Sequence, residues 1–387
     1  MTAETDRPSM PFLFVCCQAG AEATVKSDLI CESPDWRLAF SRPGFVTFKL
    51  PSPEIDNSPQ LKSAFARTYG WSVGRTEVGN VSAASDLLLG KRIHHIHVWP
   101  RDICLPGDRG FQPGPTKECN EIGARLLAAT RSRGIANAKV AVNRQAKIGQ
   151  TVLDCVVVDE NQWWIGYHTV SCFGQQWPGG VPDIKIPEAI VSRAYLKMDE
   201  ALQWSRLPVQ KGDAVVEIGS APGGACQRLL EGGLKVTGVD PSEMDASILK
   251  HPNFTHLRKR GSDVRRRDYR DFKWLMADSN VAPNHTLDTV EAIVTHDQTN
   301  LRGVLLTLKL LEWKLVGDVP EFLRRIRSWG YEYGRCRQLA FQRQEICVAA
   351  LKTRSMRRPR RASVVRQKRK TKSAALQSSN DEADASS

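Results

Sequence analysis

The chain has 387 residues and a formal net charge of +13 at pH 7. This length exceeds what one ordinary hydrophobic core supports, so we expect two or three domains. No apolar run is long enough to cross a bilayer, and the polar start lacks the pattern of a secretory signal. The ten cysteines contain no Cys-x-x-Cys pair. This usage favours reduced thiols in the cytoplasm and argues against a disulfide framework or a zinc finger.

Most of the positive charge lies near the end of the chain. Eleven Lys or Arg and no acid occur from Lys352 to Lys372, and three acids follow, so the rest of the chain carries only +5. Such a tail binds polyanions such as RNA by releasing counterions, without reading sequence. A solvated extension that only aids solubility is the alternative. We predict that residues 1–10 and 353–387 are disordered.

Deleting the chain from Lys352 onward is expected to weaken RNA binding and to reduce its dependence on salt. Each phosphate contact that is lost lowers the slope of log affinity against log salt concentration by about one. Fluorescence anisotropy of a labelled RNA over a series of salt concentrations measures that slope. An unchanged slope would show that the tail does not contact RNA.

The front of the chain reads as two small α+β units, residues 11–80 and 81–180. In the first, alternation and helical spacing predict strand 11–17, helix 21–29, strand 44–50 and helix 60–71. In the second they predict strand 93–99, a Pro/Gly-rich loop 100–115, helix 118–133 and strands 139–142, 151–158 and 162–168.

Three histidines in the strand at 93–99 suggest a metal site. Successive side chains of a strand point to opposite faces, so only His95 and His97 share a side, and His94 faces away. A structural metal site needs more ligands than two. We therefore expect no metal here.

A Pro- and Gly-rich segment, residues 178–182, marks the hinge to a third domain, residues 181–352. Strand and helix patterns alternate five times there, including helices at 242–250 and 262–271, and a terminal hairpin follows. This order predicts an α/β fold with a doubly wound, Rossmann-like sheet that has one reversed strand.

The turn at residues 219–224 is the strongest ligand signal. It follows an apolar strand and contains Gly219, Gly223 and Gly224. It lacks both the P-loop pattern and the Gly-x-Gly-x-x-Gly pattern of dinucleotide sites. The turn therefore suits a ligand without phosphate, such as S-adenosylmethionine. Asp240, at the tip of the next strand, is placed to bind ribose hydroxyls.

Four further polar residues interrupt apolar surroundings in the third domain. Lys197 lies in a helix before the first strand, Asp278 ends the strand 274–277, Lys309 interrupts an apolar strand, and Glu345 lies in the terminal hairpin. Side chains at the carboxyl ends of parallel strands face the ligand crevice of such a sheet. Surface charges that snorkel to solvent are the alternative explanation for each residue alone.

These motifs resemble the FtsJ/RrmJ-type ribose 2′-O-methyltransferases, which carry a Lys-Asp-Lys-Glu tetrad in this order. The resemblance rests on Gly-Ser-Ala-Pro-Gly-Gly at 219–224, Ala-Asp-Ser-x-x-x-Pro at 277–283 and Leu-Lys-Leu at 308–310. Residues 11–180 are similar to the RlmM branch, which acts on a cytidine of large-subunit ribosomal RNA. That likeness implies a ferredoxin-like unit over 11–80, a THUMP RNA-binding unit over 81–180 and a class I methyltransferase sheet over 181–352.

The resemblance also implies roles for particular residues. Lys197, Asp278, Lys309 and Glu345 would form the catalytic tetrad, with Lys309 as the base and Lys197 as the charged neighbour that lowers its pKa. The residues expected to hold S-adenosylmethionine are Gly219, Ala221, Pro222, Gly223, Gly224, Asp240, Asp263 and Asp278. Arg260 stands where RlmM-type sequences place an acid, so Asp263 is the substitute contact to adenine.

Two other functions remain open at this stage. The chain is alternatively a non-catalytic RNA-binding or ribosome-assembly protein with a vestigial methyltransferase fold. The complete tetrad and turn argue against such decay. A small-molecule methyltransferase is the third possibility, and it explains the front half poorly.

Overall fold

A computed structural model describes residues 11–51, 60–77, 79–88, 90, 92–159 and 162–353. The predicted disordered start and almost all of the basic tail lie outside these residues. Two large sheets organise the described chain, one from its front part and one from residues 214–351. Among the described residues, no helix has both the length and the apolar character that crossing a bilayer requires.

The front sheet has eight strands in the order β2-β3-β1-β4-β8-β7-β5-β6. Its strands are β1 (Phe12–Cys16), β2 (Arg37–Arg42), β3 (Phe45–Lys49), β4 (Thr68–Glu77), β5 (Ile93–Pro100), β6 (Ala136–Val142), β7 (Thr151–Asp159) and β8 (Gln162–Thr169). Helices α1 (Glu22–Glu32), α2 (Val81–Asp86) and α3 (Lys117–Ser132) accompany them. Strand β5 pairs in parallel with β6 on one side and with β7 on the other, and the other pairs are antiparallel.

The two front units share this one sheet. Strand β4 pairs with β1 on one side and with β8 on the other, with a bulge between Ser72 and Gly74. The boundary expected near residue 80 follows β4 and does not interrupt the hydrogen-bonded ladder. The ferredoxin-like and THUMP assignments of these two units stay predictions.

The second sheet has seven strands in the order β11-β10-β9-β12-β13-β15-β14. Its elements are α4 (Ala194–Ser205), β9 (Ala214–Ile218), α5 (Gly224–Glu231), β10 (Lys235–Val239), α6 (Ala246–Leu249), β11 (Phe254–Leu257), β12 (Trp274–Ala277), α7 (Pro283–Val294), β13 (Gly303–Lys309), α8 (Val319–Ser328), β14 (Tyr333–Arg337) and β15 (Glu345–Leu351). Only β15 runs against its neighbours in this sheet. The Rossmann-like sheet with one reversed strand is therefore confirmed.

Two predicted helices are wrong. Residues 60–71 form no helix, and from Thr68 the chain forms β4 in the middle of a sheet. Residues 65–71 are all buried, so the sequence pattern there has no exposed face that would show a strand's alternation. Residues 262–271 form two short 3-10 turns, Gly261–Asp263 and Arg266–Tyr269. There the Arg266 guanidinium donates to backbone carbonyls of residues 261, 262 and 264, and this replaces helical hydrogen bonds.

The two sheets are tied together through one apolar core and a buried polar cluster. Buried side chains of the front part, such as Phe65 and Trp71, belong to the same packed cluster as Leu306 and Ile346 of the second sheet. The Gln18 side chain donates to the backbone carbonyl of Gln342. The loop before β15 is therefore held by the front part of the chain.

His97 of β5 belongs to a buried polar cluster on the front sheet. His97 lies opposite Asp154, and Asp154 accepts a 2.6 Å bond from the Nδ1 of His168. Burial lowers the pKa of His97 to about 3. Burial also acts to lower the pKa of His168, but Asp154 outweighs this effect, so the pKa of His168 is raised. The Nε2 of His168 lies 2.8 Å from the carbonyl of Gln175, so this cluster anchors the segment that leads into the second sheet.

Candidate active site

The four predicted tetrad residues come from four different elements. Lys197 lies on α4, Asp278 directly follows β12, Lys309 ends β13, and Glu345 begins β15. Lys309 and Glu345 are register partners on the antiparallel pair β13–β15. Since β12 and β13 run in parallel, their carboxyl ends meet at one edge of the sheet, and α4 packs beside that edge.

The four side chains form a closed ring of alternating charge. The Nζ of Lys197 lies 3.4 Å from Asp278 and 2.5 Å from Glu345. The Nζ of Lys309 lies 2.9 Å from Asp278 and also contacts Glu345. Each ammonium thus contacts both carboxylates. All four side chains are 16% exposed or less, so the snorkelling alternative does not describe these residues.

The charges of the ring oppose the expected activation of Lys309. Burial favours the neutral amine, but Asp278 and Glu345 outweigh burial and raise the pKa of Lys309 above its ordinary value. For Asp278, burial raises the pKa, and Lys197 and Lys309 more than reverse it, so the carboxyl pKa is lowered. The expectation of a lowered pKa for Lys309 is therefore wrong for this arrangement, because the two carboxylates beside that amine raise its pKa.

A cavity of about 730 Å³ opens beside the ring at the same edge of the sheet. The turn after β9, the tip of β10, the turn after β11, the end of β12 and helix α7 form its wall. Asp240 shapes the wall, because its carboxylate accepts a 3.1 Å bond from the Ala221 N–H and a 2.8 Å bond from the Ser242 N–H. The carboxylate keeps lone pairs for ligand hydroxyls.

The predicted cofactor residues divide into two groups. Gly219, Ala221, Asp240 and Asp278 line the cavity, and Pro222, Gly223, Gly224 and Asp263 do not. Gly219 has φ +78°, and a Cβ there would lie 2.7 Å from the carbonyl of Asp278, so glycine lets the turn approach the end of β12. At Gly224 a Cβ would lie 2.2 Å from the Ser192 hydroxyl. This glycine therefore serves the packing of α5 against the segment before α4.

The substitute acid lies next to the cavity without lining it. Arg260, Gly261 and Ser262 form the wall at this point, and the Ser262 hydroxyl donates to the carboxylate of Asp263 at 3.0 Å. Several wall residues had not been singled out from the sequence, among them Asn280, His285 and Thr289. Those on α7 follow the Pro283 helix start, which is the signal by which they could have been found.

Glu217, near the end of β9, does not line the cavity. Its carboxyl is buried and accepts a 2.8 Å bond from the Cys226 thiol on α5. Burial raises the pKa of Glu217 to about 8, and the nearby Asp278 and Asp240 add to this effect. The raised pKa favours a neutral carboxylic acid at this buried position.

Gln342 is a further polar residue behind the tetrad that sequence reasoning missed. It lines a small cavity of about 20 Å³ together with Lys197, Asp278 and Thr307. Its Oε1 accepts from the Leu339 N–H, and its buried Nε2 has no hydrogen-bond partner within the described residues. The space holds one water molecule at most, with these polar groups as its partners.

The fold and site define a class I methyltransferase domain. Residues 190–326 match the FtsJ-like methyltransferase family, and this match supports S-adenosylmethionine as the cofactor of this part of the chain.

Proteins called ribosomal RNA large subunit methyltransferase M are similar to the chain over longer stretches. The protein of Alkalilimnicola ehrlichii is 30% identical over 60% of this chain and 63% of its own length. The protein of Azotobacter vinelandii is 31% identical over 44% of this chain and 50% of its own length. The protein of Halorhodospira halophila is 29% identical over 89% of this chain and 97% of its own length. These relatives confirm the resemblance to RlmM-type sequences.

Solved structures offer weaker likenesses. TrmN from Thermus thermophilus aligns with 88% of this chain and 99% of its own, at 14% identity and a TM-score of 0.33. A score this low carries no argument about function.

Proposed function

We propose that the protein transfers a methyl group from S-adenosylmethionine to the 2′-hydroxyl of a ribose in ribosomal RNA. The observation that carries this proposal is the ring of Lys197, Asp278, Lys309 and Glu345 beside a nucleoside-sized cavity that Asp278 lines. The names of the similar proteins support the large ribosomal subunit as the source of the RNA. By the same resemblance the target is a cytidine, and the protein works in the cytoplasm.

The residues of the cavity suit the cofactor. Its volume, about 730 Å³, lies in the ordinary range for cofactor sites. Asp240 offers a carboxylate for ribose hydroxyls, Gly219 and Ala221 offer close backbone, and Asp278 closes the cavity toward the ring. When bound, the cofactor supplies a methyl group on a cationic sulfonium.

Within this proposal the ring orients the hydroxyl and removes its proton. A ribose hydroxyl is a poor nucleophile at neutral pH and needs a base within hydrogen-bond reach. Lys309 in its amine form accepts the hydroxyl proton at Nζ. Asp278 and Glu345 then stabilise the ammonium that results, and Lys197 holds both carboxylates in place. Orientation of the two reactants contributes up to several kcal/mol to lowering the barrier.

The raised pKa of Lys309 has a consequence for the pH profile. The base works only as the neutral amine, and Asp278 and Glu345 keep Lys309 protonated at neutral pH. We expect the rate of methyl transfer to rise about tenfold per pH unit from about pH 7 to pH 9, without a plateau. Single-turnover rates at saturating RNA and cofactor test this. A plateau below about pH 8 would mean that the amine is already neutral in the complex.

The front part of the chain is proposed to bring the RNA to the site. We assign residues 81–180 to a THUMP-like RNA-binding unit, residues 11–80 to a ferredoxin-like unit and the basic tail to RNA contact. The support is the similarity over 89% of the chain to a protein called ribosomal RNA large subunit methyltransferase M.

The decisive experiment incubates the full chain with labelled S-adenosylmethionine and unmodified ribosomal RNA. Label is expected in RNA, and mapping of ribose methylation locates it on one nucleotide. Free RNA and isolated large subunits serve as two separate substrates. RNA binding without any transfer of label would instead support the non-catalytic alternative.

A further inference from the structure

A second large cavity, about 800 Å³, lies beside the tetrad between the front sheet and the methyltransferase domain. We call it the linker groove. The loop from Gly107 to Pro115, the residues after β6, the segment 177–186, the first turn of α4 and Phe341 form its walls. None of the predicted cofactor or tetrad residues lines it.

The linker groove and the tetrad share two structural elements. Arg193 lines the groove, and its carbonyl accepts from the backbone N–H of Lys197, so the two side chains are one helical turn apart on one face of α4. Phe341 lines the groove four residues before Glu345. The buried Glu200 carboxylate fixes this loop by accepting the N–H groups of residues 340 and 341 at 2.9 and 3.3 Å.

Aromatic rings are available inside the groove. Phe111 and Phe341 contact each other edge to face, with ring centroids 6.4 Å apart, and both are only half-buried. Trp177 is half-buried as well, and its indole N–H has no hydrogen-bond partner within the described residues. Half-buried rings with accessible faces are the surfaces on which unpaired bases stack.

The charges of the groove favour an anion. Arg144 and Arg193 are exposed, and neither forms an ion pair with any described residue. The guanidinium of Arg193 lies against Gly107 of the loop in the groove wall. Of the two acids in the wall, Asp108 is paired with Arg343 at 2.8 Å, and Asp183 is exposed on the rim. Arginine fits phosphate well because its planar fork donates two bonds at once.

We propose that the linker groove binds the unpaired RNA nucleotides adjacent to the target ribose. Their bases stack on Phe111 and Phe341, and Arg193 and Arg144 bind their phosphates. The inference rests on the proposed function, because it assigns the flanking part of the same RNA substrate. An RNA helix shows its bases edge-on and stacked, so only a strand with unstacked bases reaches these rings.

The test compares Phe111→Ala and Arg193→Ala with the unchanged chain. Dissociation constants are measured by anisotropy with a labelled single-stranded RNA that spans the target site, and KM and kcat are measured with unmodified ribosomal RNA. We expect each variant to bind the single strand about 5- to 100-fold more weakly and to raise KM by a similar factor, since stacking and phosphate contacts act in binding. Affinity for S-adenosylmethionine and thermal stability are expected to stay unchanged.

Two further variants separate stacking and charge from general disruption. Phe111→Trp keeps an aromatic face and is expected to restore binding. Arg37→Ala, an equally exposed arginine on the edge strand β2, is the matched control and is expected to leave RNA affinity unchanged. Arg193→Ala is also expected to lower the salt slope of binding by about one, and Arg37→Ala is not.

The outcomes distinguish this inference from the proposed function. Normal RNA affinity and KM in both Phe111→Ala and Arg193→Ala would overturn the proposed RNA-binding role of the linker groove. Methyl transfer as the proposed function would be unaffected by that result. Equal affinity for a fully paired duplex of the same sequence would also overturn it. If the unchanged chain transfers no methyl group but its binding of single-stranded RNA depends on Phe111 and Arg193, the linker groove is an RNA-binding site and the proposed function is wrong.

Discussion

Lys309→Arg is expected to abolish methyl transfer to RNA while leaving the affinity for S-adenosylmethionine near normal. Arginine keeps the positive charge between Asp278 and Glu345 but does not lose its proton in proteins. If Lys309 is the base, the rate at saturating substrates falls by a factor of about 10² to 10⁴. Single-turnover transfer of labelled methyl measures the rate, and calorimetric titration measures cofactor affinity.

The control is Lys235→Arg, an exposed lysine at the start of β10, which is expected to have normal activity. Lys309→Met adds a second comparison, because it removes both the charge and the base. Turnover in Lys309→Arg within about threefold of the unchanged chain would remove Lys309 as a base and leave it an electrostatic role.

Arg67→Met is expected to lower the free energy of unfolding by about 3 to 5 kcal/mol, because it leaves a buried carboxylate without its partner. The Arg67 guanidinium binds both oxygens of Asp102, at 2.6 and 2.9 Å, and both side chains are almost fully buried. The guanidinium also donates to the Gly179 carbonyl at 2.7 Å. It thus ties the front part of the chain to the segment that leads into the methyltransferase domain.

Urea denaturation of the full chain measures this loss of stability. The matched control is Arg133→Met, which breaks a more exposed pair with Asp86 and is expected to cost at most about 1 kcal/mol. Arg67→Met combined with Asp102→Leu removes both charges and is expected to recover part of the loss. Equal stabilities of Arg67→Met and Arg133→Met would show that the buried pair does not hold the two parts together.

Local sequence signals predicted the methyltransferase domain, residues 181–352, well because they act over short distances. Apolar strands such as 214–218 and 303–308 alternate with helical spacing, and Gly219 marks a turn that only a small residue can make so close to Asp278. The same signals failed at 60–71, because the strand that begins at Thr68 is buried on both faces there and shows no alternation. They also failed at 262–271, where side-chain hydrogen bonds from Tyr269 and Arg266 to nearby backbone carbonyls take the place of helical bonds.

The sequence by itself determined the kinds of residue at the edge of the sheet: two lysines, two acids and a glycine turn followed by Asp240. Those identities and their chain order are local facts, and they sufficed for the resemblance to FtsJ-type methyltransferases. Only the tertiary structure decided that each lysine contacts both carboxylates, which reverses the expected direction of the Lys309 pKa. It also decided that Phe111 and Phe341, 230 positions apart, face one groove beside that ring. The physical reason is that Coulomb energy and ring contact depend on distance in space, and strand pairing and domain packing set that distance.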